Sequence, residues 1–310
     1  MGHYLVAMKQ LGRYRLARVL GSGAFATVWL GEDPDLEAEV AVKVLADNWV
    51  HNADVRERFL AEARLLRRVD DPRVVRVFDL GVSDDDRPYI VMEYVPGGTL
   101  ADRMDGLSTA DALAYGIGAA RALHVVHEAG VVHRDVKPSN LLVDDRTTPP
   151  RLLVSDLGSA KVLAEASGLT VTTGTPLYMA PEQAHQSDGF DARVDVYAVA
   201  AVTYHLLSGR PPFGDATPGA VLARRADARP APLAASVELP AELDRLLSRA
   251  LSWDPNKRPA TAADLADALE RIEGDSEPTR VRREVPTALV LVLCVVLFLA
   301  AFTGTYLLVR

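Results

Sequence analysis

Cysteine is nearly absent from this 310-residue chain: Cys294 stands alone, which excludes an internal disulfide framework and suits a reducing compartment. An excess of positive charge is missing too. With 34 Lys and Arg against 42 Asp and Glu the formal charge is -8, which argues against a nucleic-acid-binding surface and for a soluble acidic body. The N-terminus has no long apolar run of the secretory kind, and Val6 stands where an N-myristoylation signal starting at Gly2 needs Ser or Thr. Neither internal repeats nor low-complexity tracts occur. The length fits one two-lobed domain with short extensions, leaving little room for a second globular domain.

One long hydrophobic run is present. From Thr287 to Val309 the chain runs 23 residues without a charge, and as a helix that covers roughly 30 Å of hydrocarbon. Its Leu, Val and Phe residues together contribute roughly -4 to -8 kcal/mol on an insertion scale. The run is apolar all round rather than on one stripe, so a transmembrane helix over 287–309 is expected, with Cys294 as packing within it. Arg280, Arg282 and Arg283 precede the run and only Arg310 follows it. That bias predicts a single pass through the cell membrane with everything upstream cytoplasmic. Residues 274–286, polar and Pro-interrupted, read as a juxtamembrane linker.

The first hundred residues contain five short β-branched runs: Tyr14 to Leu20, Thr27 to Leu30, Val40 to Leu45, Val74 to Val82 and Tyr89 to Tyr94. They predict a small sheet. Between the third and fourth, Ala53 to Val69 carries Phe59, Leu60, Ala63, Leu66 and Val69 at helical spacing. Helices are then predicted over Ala110 to Glu128, Ala192 to Leu207, Ala241 to Leu251 and Thr261 to Ile272, the last opening on Thr261 with Asp264 three residues on. Ala223 to Ala235 reads as an irregular loop.

Gly21-Ser22-Gly23-Ala24-Phe25-Ala26 falls between the first two predicted strands, where missing or tiny side chains let backbone N–H groups approach phosphate oxygens. A plain glycine hairpin turn remains the alternative at this point. Lys43 follows on a strand and can aim a fixed positive charge at α- and β-phosphates. Glu62 on the next helix is the expected partner that holds Lys43, because it precedes Ala63 and Leu66 on the apolar stripe; Glu57, the competing candidate, lies a turn and a half nearer the helix start.

The segment His133-Arg134-Asp135-Val136-Lys137-Pro138-Ser139-Asn140 is followed by Asp156-Leu157-Gly158 and then Ala180-Pro181-Glu182. With these motifs in order, residues Tyr14 to Glu273 resemble the eukaryotic-like (Hanks-type) serine/threonine protein kinases of the bacterial membrane-anchored type. The resemblance implies an α+β, bilobal fold. A small antiparallel sheet with one main helix would form the N-lobe (about 14–95), and a larger, mostly helical C-lobe (about 96–273) would follow.

It also implies roles. Asp135 would accept the proton of the substrate hydroxyl, and Asn140 and Asp156 would hold Mg²⁺, or Mn²⁺ in its place, against the phosphates of ATP. Lys137 would contact the transferring phosphate, a Ser/Thr-kinase feature, and Thr175 resembles the Ser/Thr form of the substrate-side loop. Leu20, Gly21, Ser22, Gly23, Ala24, Phe25, Val28, Ala41 and Lys43 would surround the nucleotide, with the backbone of Glu93 and Val95 at the adenine and Met92 as gatekeeper. Asp195 and Arg258 match structural positions, Arg258 pairing with Glu182. Arg134, directly before Asp135, is expected to meet a phosphorylated residue among Thr170, Thr172 and Thr173, with Lys161 as a second partner.

Expected partners are therefore ATP, proteins with Ser or Thr acceptors, the lipid bilayer, and a second copy of the chain for phosphorylation in trans; no nucleic acid is expected. Two positions depart from the family pattern: Ala26 replaces the third loop glycine and Leu157 replaces the Phe of the metal motif. Ala26 restricts positive φ, and Leu157 keeps an apolar plug with different packing. A membrane-tethered pseudokinase scaffold is the alternative, opposed by the joint presence of Lys43, Asp135, Asn140 and Asp156. A small-molecule phosphotransferase would lack the Ala-Pro-Glu and Gly-Thr-x-x-Tyr segments.

Overall fold

The computed structural model describes residues 9–157, 176–185, 189, 191–214, 220, 223–233 and 239–276. The chain divides after Ile272. Of the second unit only Glu273 to Ser276 are described, so the expected linker beyond them and the expected membrane helix at 287–309 lie outside the described residues.

Six antiparallel strands form the first layer in the order β1-β2-β3-β4-β6-β5. They are β1 Lys9–Leu11, β2 Tyr14–Ser22, β3 Ala26–Asp33, β4 Ala38–Leu45, β5 Val77–Val82 and β6 Pro88–Glu93. Alternation along β4 explains how the sheet serves two purposes. Val40, Val42 and Val44 pack on one face with Leu11, Tyr14, Leu16, Tyr89 and Val91. Ala41 and Leu45 join other apolar clusters on the opposite face. Lys43 shares that second face, and its register partners are Val28 on β3 and Ile90 on β6.

Helix α1, Ala53–Leu66, starts where the Asn52 side chain accepts a hydrogen bond from the Val55 N–H, an N-cap that satisfies one of the orphan donors. Its buried stripe is Val55, Phe59, Glu62, Ala63 and Leu66. A carboxylate therefore lies inside an otherwise apolar face.

The second layer is helical. It holds α2 Thr109–Glu128, the short α3 Pro181–Ala184, α4 Arg193–Ser208, α5 Ala241–Ala250 and α6 Ala262–Ser276, with a hairpin of β7 Leu141–Asp144 and β8 Arg151–Val154. Helix α4 is buried at thirteen of its sixteen positions: it is apolar all round because it is the centre of the lobe. It packs on α2, and at Gly116 a Cβ would come within 2.5 Å of Thr203 Oγ1, so the glycine permits the close approach. Helix α4 stops at Gly209, whose φ of 68° is left-handed. At α6, Thr261 and Asp264 exchange the hydrogen bonds expected of a capping box.

The predicted elements reappear with shifted ends. The fourth strand begins at Val77, not Val74, because residues 73–75 pair elsewhere: Val75 N–H donates to Val154 O, and Val154 N–H to Arg73 O. Helix α1 stops at Leu66, and α6 runs to Ser276, past Ile272. The three-residue β1 and the four-residue β7 and β8 are additional; strands this short leave too little alternation to read.

Candidate active site

A cleft of about 660 Å³ lies between the sheet and the helical layer. All eleven residues expected at the nucleotide line it, together with Met92, Asp135, Lys137, Asn140 and Asp156.

The sheet side contributes a lysine held by two carboxylates. Lys43 Nζ is 3.0 Å from Glu62 Oε1 and 2.6 Å from Asp156 Oδ1. Glu57 is the wrong candidate: its side chain is 68% exposed and pairs with Arg64 at 2.9 Å. Burial alone would depress the Lys43 ammonium, but the charges of Asp156 and Glu62 outweigh it and raise the pKa above the ordinary lysine value. Burial likewise opposes the Asp156 carboxylate, and the Lys43 charge prevails to keep it below the usual carboxylate range. Lys43 is thus a cation and Asp156 an anion across the physiological range. A hydrogen bond to a charged group is worth about 1.5–3 kcal/mol, and each 1.36 kcal/mol on a barrier is tenfold in rate. Glu62→Gln is therefore expected to lower kcat/KM for ATP by about 10- to 100-fold, whereas Glu57→Gln stays within about twofold, the effect of an exposed pair. Equal losses in steady-state assays of the two variants would break the assignment of Glu62.

The helical side contributes a loop tied down at almost every residue. The His133 and Arg134 N–H groups donate to the two oxygens of Asp195, each at 2.8 Å, and His127 Nε2 bonds the same carboxylate at 2.8 Å. His133 Nε2 also lies 2.9 Å from the Ser155 carbonyl, joining this loop to the segment that carries Asp156. Gln183 on α3 donates to the Arg134 carbonyl at 2.9 Å. Arg134 and Asp156 both have positive φ, 68° and 55°, and non-glycine residues there store strain of about 1–3 kcal/mol each. The bonds on either side of Arg134 hold it so.

At the tip of this loop the Asp135 carboxylate accepts from Lys137 Nζ at 2.7 Å and from Asn140 Nδ2 at 3.2 Å. Asn140 Nδ2 also donates to the Asp135 carbonyl at 2.8 Å, which fixes the orientation of the amide. Asn140 and Asp156 offer an amide oxygen and a carboxylate, both hard donors suited to Mg²⁺. No cluster of three or more His, Cys, Asp or Glu side chains suited to a metal occurs among the described residues. A cation here would complete its coordination with oxygens from water and from a phosphorylated ligand.

The glycine-rich loop has room for such a ligand. A Cβ on Gly21 would meet nothing within 4 Å, and one on Gly23 only the Ala26 carbonyl at 3.7 Å. Protein packing does not demand these glycines, which favours the phosphate-approach reading over the plain turn. The two departures are accommodated. Ala26 on β3 pairs with Leu45 on β4 and is not among the residues of positive φ, so the methyl causes no backbone conflict. Leu157 is buried in the main apolar cluster.

Arg258, fully buried, forks onto Glu182 with contacts of 2.6 and 2.8 Å, as expected. Gly158, Lys161, Thr170, Thr172, Thr173 and Thr175 lie outside the described residues. Sequence reading missed what supports the Glu93 segment, whose backbone is expected at the adenine. Glu93 Oε1 accepts from Arg146 at 3.3 Å and Arg151 at 3.1 Å, and both arginines also bind the buried Asp144. The Glu93 side chain is thereby turned onto the β7–β8 hairpin, leaving its backbone at the cleft. Missed too were Gln183, on the unpredicted four-residue α3, and His127, on the predicted α2, polar residues with nothing local to mark their partners.

Two lobes around this cleft define a fold of the protein kinase type, and comparison agrees: the protein kinase domain family matches residues 14–269, so the chain belongs to that family. Serine/threonine-protein kinase pkn2 of Myxococcus xanthus is 38% identical over 268 residues, 83% of this chain and 32% of pkn2. Serine/threonine-protein kinase PknB of Mycobacterium tuberculosis is 36% identical over 277 residues, 86% of this chain and 44% of PknB. The crystal structure of the M. tuberculosis PknI kinase domain aligns with a TM-score of 0.67 at 30% identity, covering 86% of this chain and 99% of that domain. The chain spans less than half the length of these two curated relatives.

Proposed function

We propose that this chain transfers the γ-phosphate of ATP to Ser and Thr hydroxyls of proteins. The observation that carries the reading is the meeting in one cleft of the Lys43–Glu62–Asp156 cluster with the Asp135–Lys137–Asn140 cluster. Lys43 is a fixed cation for the α- and β-phosphates, Asp135 takes the proton of the attacking hydroxyl, and Lys137 beside it faces the phosphoryl group in transfer. Asn140 and Asp156 would hold Mg²⁺, which supplies charge neutralisation between the phosphates. Nothing in the cleft favours the pseudokinase scaffold.

The finer parts of the reading rest on sequence. The apolar run at 287–309 and the arginines before it support a single-pass anchor with the kinase domain cytoplasmic. Arg134 before Asp135, with threonines in the activation segment, supports switching by phosphorylation between copies held in one membrane.

The test is incubation of the full chain with γ-labelled ATP and Mg²⁺, phosphosites mapped, beside a chain lacking 287–309. Label on Thr170, Thr172 or Thr173 is expected, as is recovery of only the intact chain in the membrane fraction. Absence of label on any Ser or Thr, in the chain or in an added protein acceptor, would refute the kinase reading. Equal recovery of both chains outside the membrane fraction would refute the anchor.

A further inference from the structure

The tip of the glycine-rich loop is held by a residue that no motif singles out. Trp49 belongs to the short helical turn Asp47–Trp49 between β4 and α1. Its indole Nε1–H donates to the Ala24 carbonyl at 2.9 Å, and its ring lies against Phe25, with centroids 5.2 Å apart. Close by, the Ala46 N–H donates to the Phe25 carbonyl at 2.9 Å. The Trp49 carbonyl in turn accepts from the Asn52 N–H, and Asn52 caps α1, the helix that carries Glu62.

A trans peptide is planar, with its C=O and N–H opposed. Fixing the Ala24 carbonyl on the indole therefore fixes the direction of the following Phe25 N–H, a donor of the kind that cradles phosphate oxygens. A Cβ at Gly21 would meet nothing within 4 Å and one at Gly23 only the Ala26 carbonyl, so these two residues do not set that direction by packing; the Phe25 ring and the Trp49 bond are what hold the tip.

We propose that Trp49 is a positioning residue that holds the glycine-rich loop in its phosphate-binding form and ties it to the start of α1. The proposal takes ATP as the ligand from the kinase reading. It predicts that Trp49 matters to the phosphates and not to the adenine or the chemical step.

The experiment compares ATP and adenosine binding by calorimetry, and KM for ATP with kcat, in the full chain and in Trp49→Phe and Trp49→Ala. Trp49→Phe keeps an aromatic ring beside Phe25 and removes the donor at a smaller loss of packing than Trp49→Ala, so it guards against a variant that merely fails to fold. ATP affinity is expected to fall about 2- to 10-fold in Trp49→Phe, the size of one neutral hydrogen bond, and further in Trp49→Ala. KM for ATP should rise in step while adenosine affinity and kcat stay within about twofold. If Trp49→Phe discriminates ATP from adenosine as well as the parent chain does, this proposal is overturned and the kinase reading stands. Equal losses for ATP and adenosine would overturn it as well, by showing a general loosening of the lobe. A parent chain that binds neither ligand would overturn both readings together.

Discussion

Asp135→Asn is expected to lower phosphoryl transfer by about 10²- to 10⁴-fold, the range associated with a positioned general base, while ATP affinity stays within about twofold of the parent. The two halves of this result come from different bonds. The substitution is nearly isosteric, and the tie from Asn140 Nδ2 to the residue's own backbone carbonyl, at 2.8 Å, does not involve the side chain. The catalytic loop is also held by Asp195, Gln183 and the His133–Ser155 bond. None of these changes, so the variant should keep its fold and its nucleotide cleft. What it loses is an oxygen able to take a proton from an attacking hydroxyl, and the negative charge that holds the Lys137 ammonium 2.7 Å away. In the family's loose transition state positioning and electrostatics carry most of the acceleration, so the residual activity should lie well above zero. Single-turnover transfer to a protein acceptor, measured beside ATP binding, checks both halves. Transfer within tenfold of the parent would remove Asp135 from the proton-accepting role and leave it as an orienting group for Lys137.

Much of this site was legible before the structure because its chemistry is tied to local sequence. Lys43 could be placed on the cleft face from strand alternation alone, once Val40, Val42 and Val44 were taken as the opposite, apolar face. The choice of Glu62 over Glu57 followed from helical spacing: Glu62 adjoins Ala63 and Leu66 on the buried stripe, and Glu57 turns outward to Arg64. Capping at Thr261 needed only Asp264 three residues later. What stayed hidden depends on groups far apart in the chain whose own surroundings look ordinary. Trp49 and Ala24 are 25 residues apart, and the clasp of Glu93 by Arg146 and Arg151 joins residues more than 50 apart. An indole after a strand, or an arginine in a turn, has no periodicity that reveals its partner. The concern over Ala26 illustrates a different gap: the family pattern has glycine there, but only the backbone shows that an extended, paired conformation lets alanine stand in.

Asp195 shows how a residue remote from the phosphates can control the chemistry, and Asp195→Ala is expected to damage both stability and rate. The carboxylate is 1% exposed and sits in the first turn of α4, where the helix dipole favours a negative charge. Both its oxygens accept backbone N–H donors, from His133 and Arg134, and His127 reaches one of them. Alanine leaves two backbone donors without these acceptors, at about 1–3 kcal/mol each. With roughly 2–4 °C of Tm per kcal/mol for a domain of this size, a drop of at least about 4 °C is expected. The rate should fall further than stability explains, because the left-handed Arg134 is held on one side by its N–H bond to Asp195 and on the other by Gln183. Released on one side, Arg134 can relax its strain, and Asp135, the next residue, moves with it. A displacement of about 1 Å at a reacting group can lower a rate by about 100-fold. Asp195→Asn separates the two effects: one oxygen remains to accept a backbone N–H while the amide nitrogen faces another donor, so its stability and rate should fall between the parent and the alanine variant. Calorimetric Tm values with kcat measured well below the transition would test this. An alanine variant that kept the parent's kcat at 25 °C despite a lowered Tm would show that Asp195 supports the fold alone and that the loop holds Asp135 in place without it.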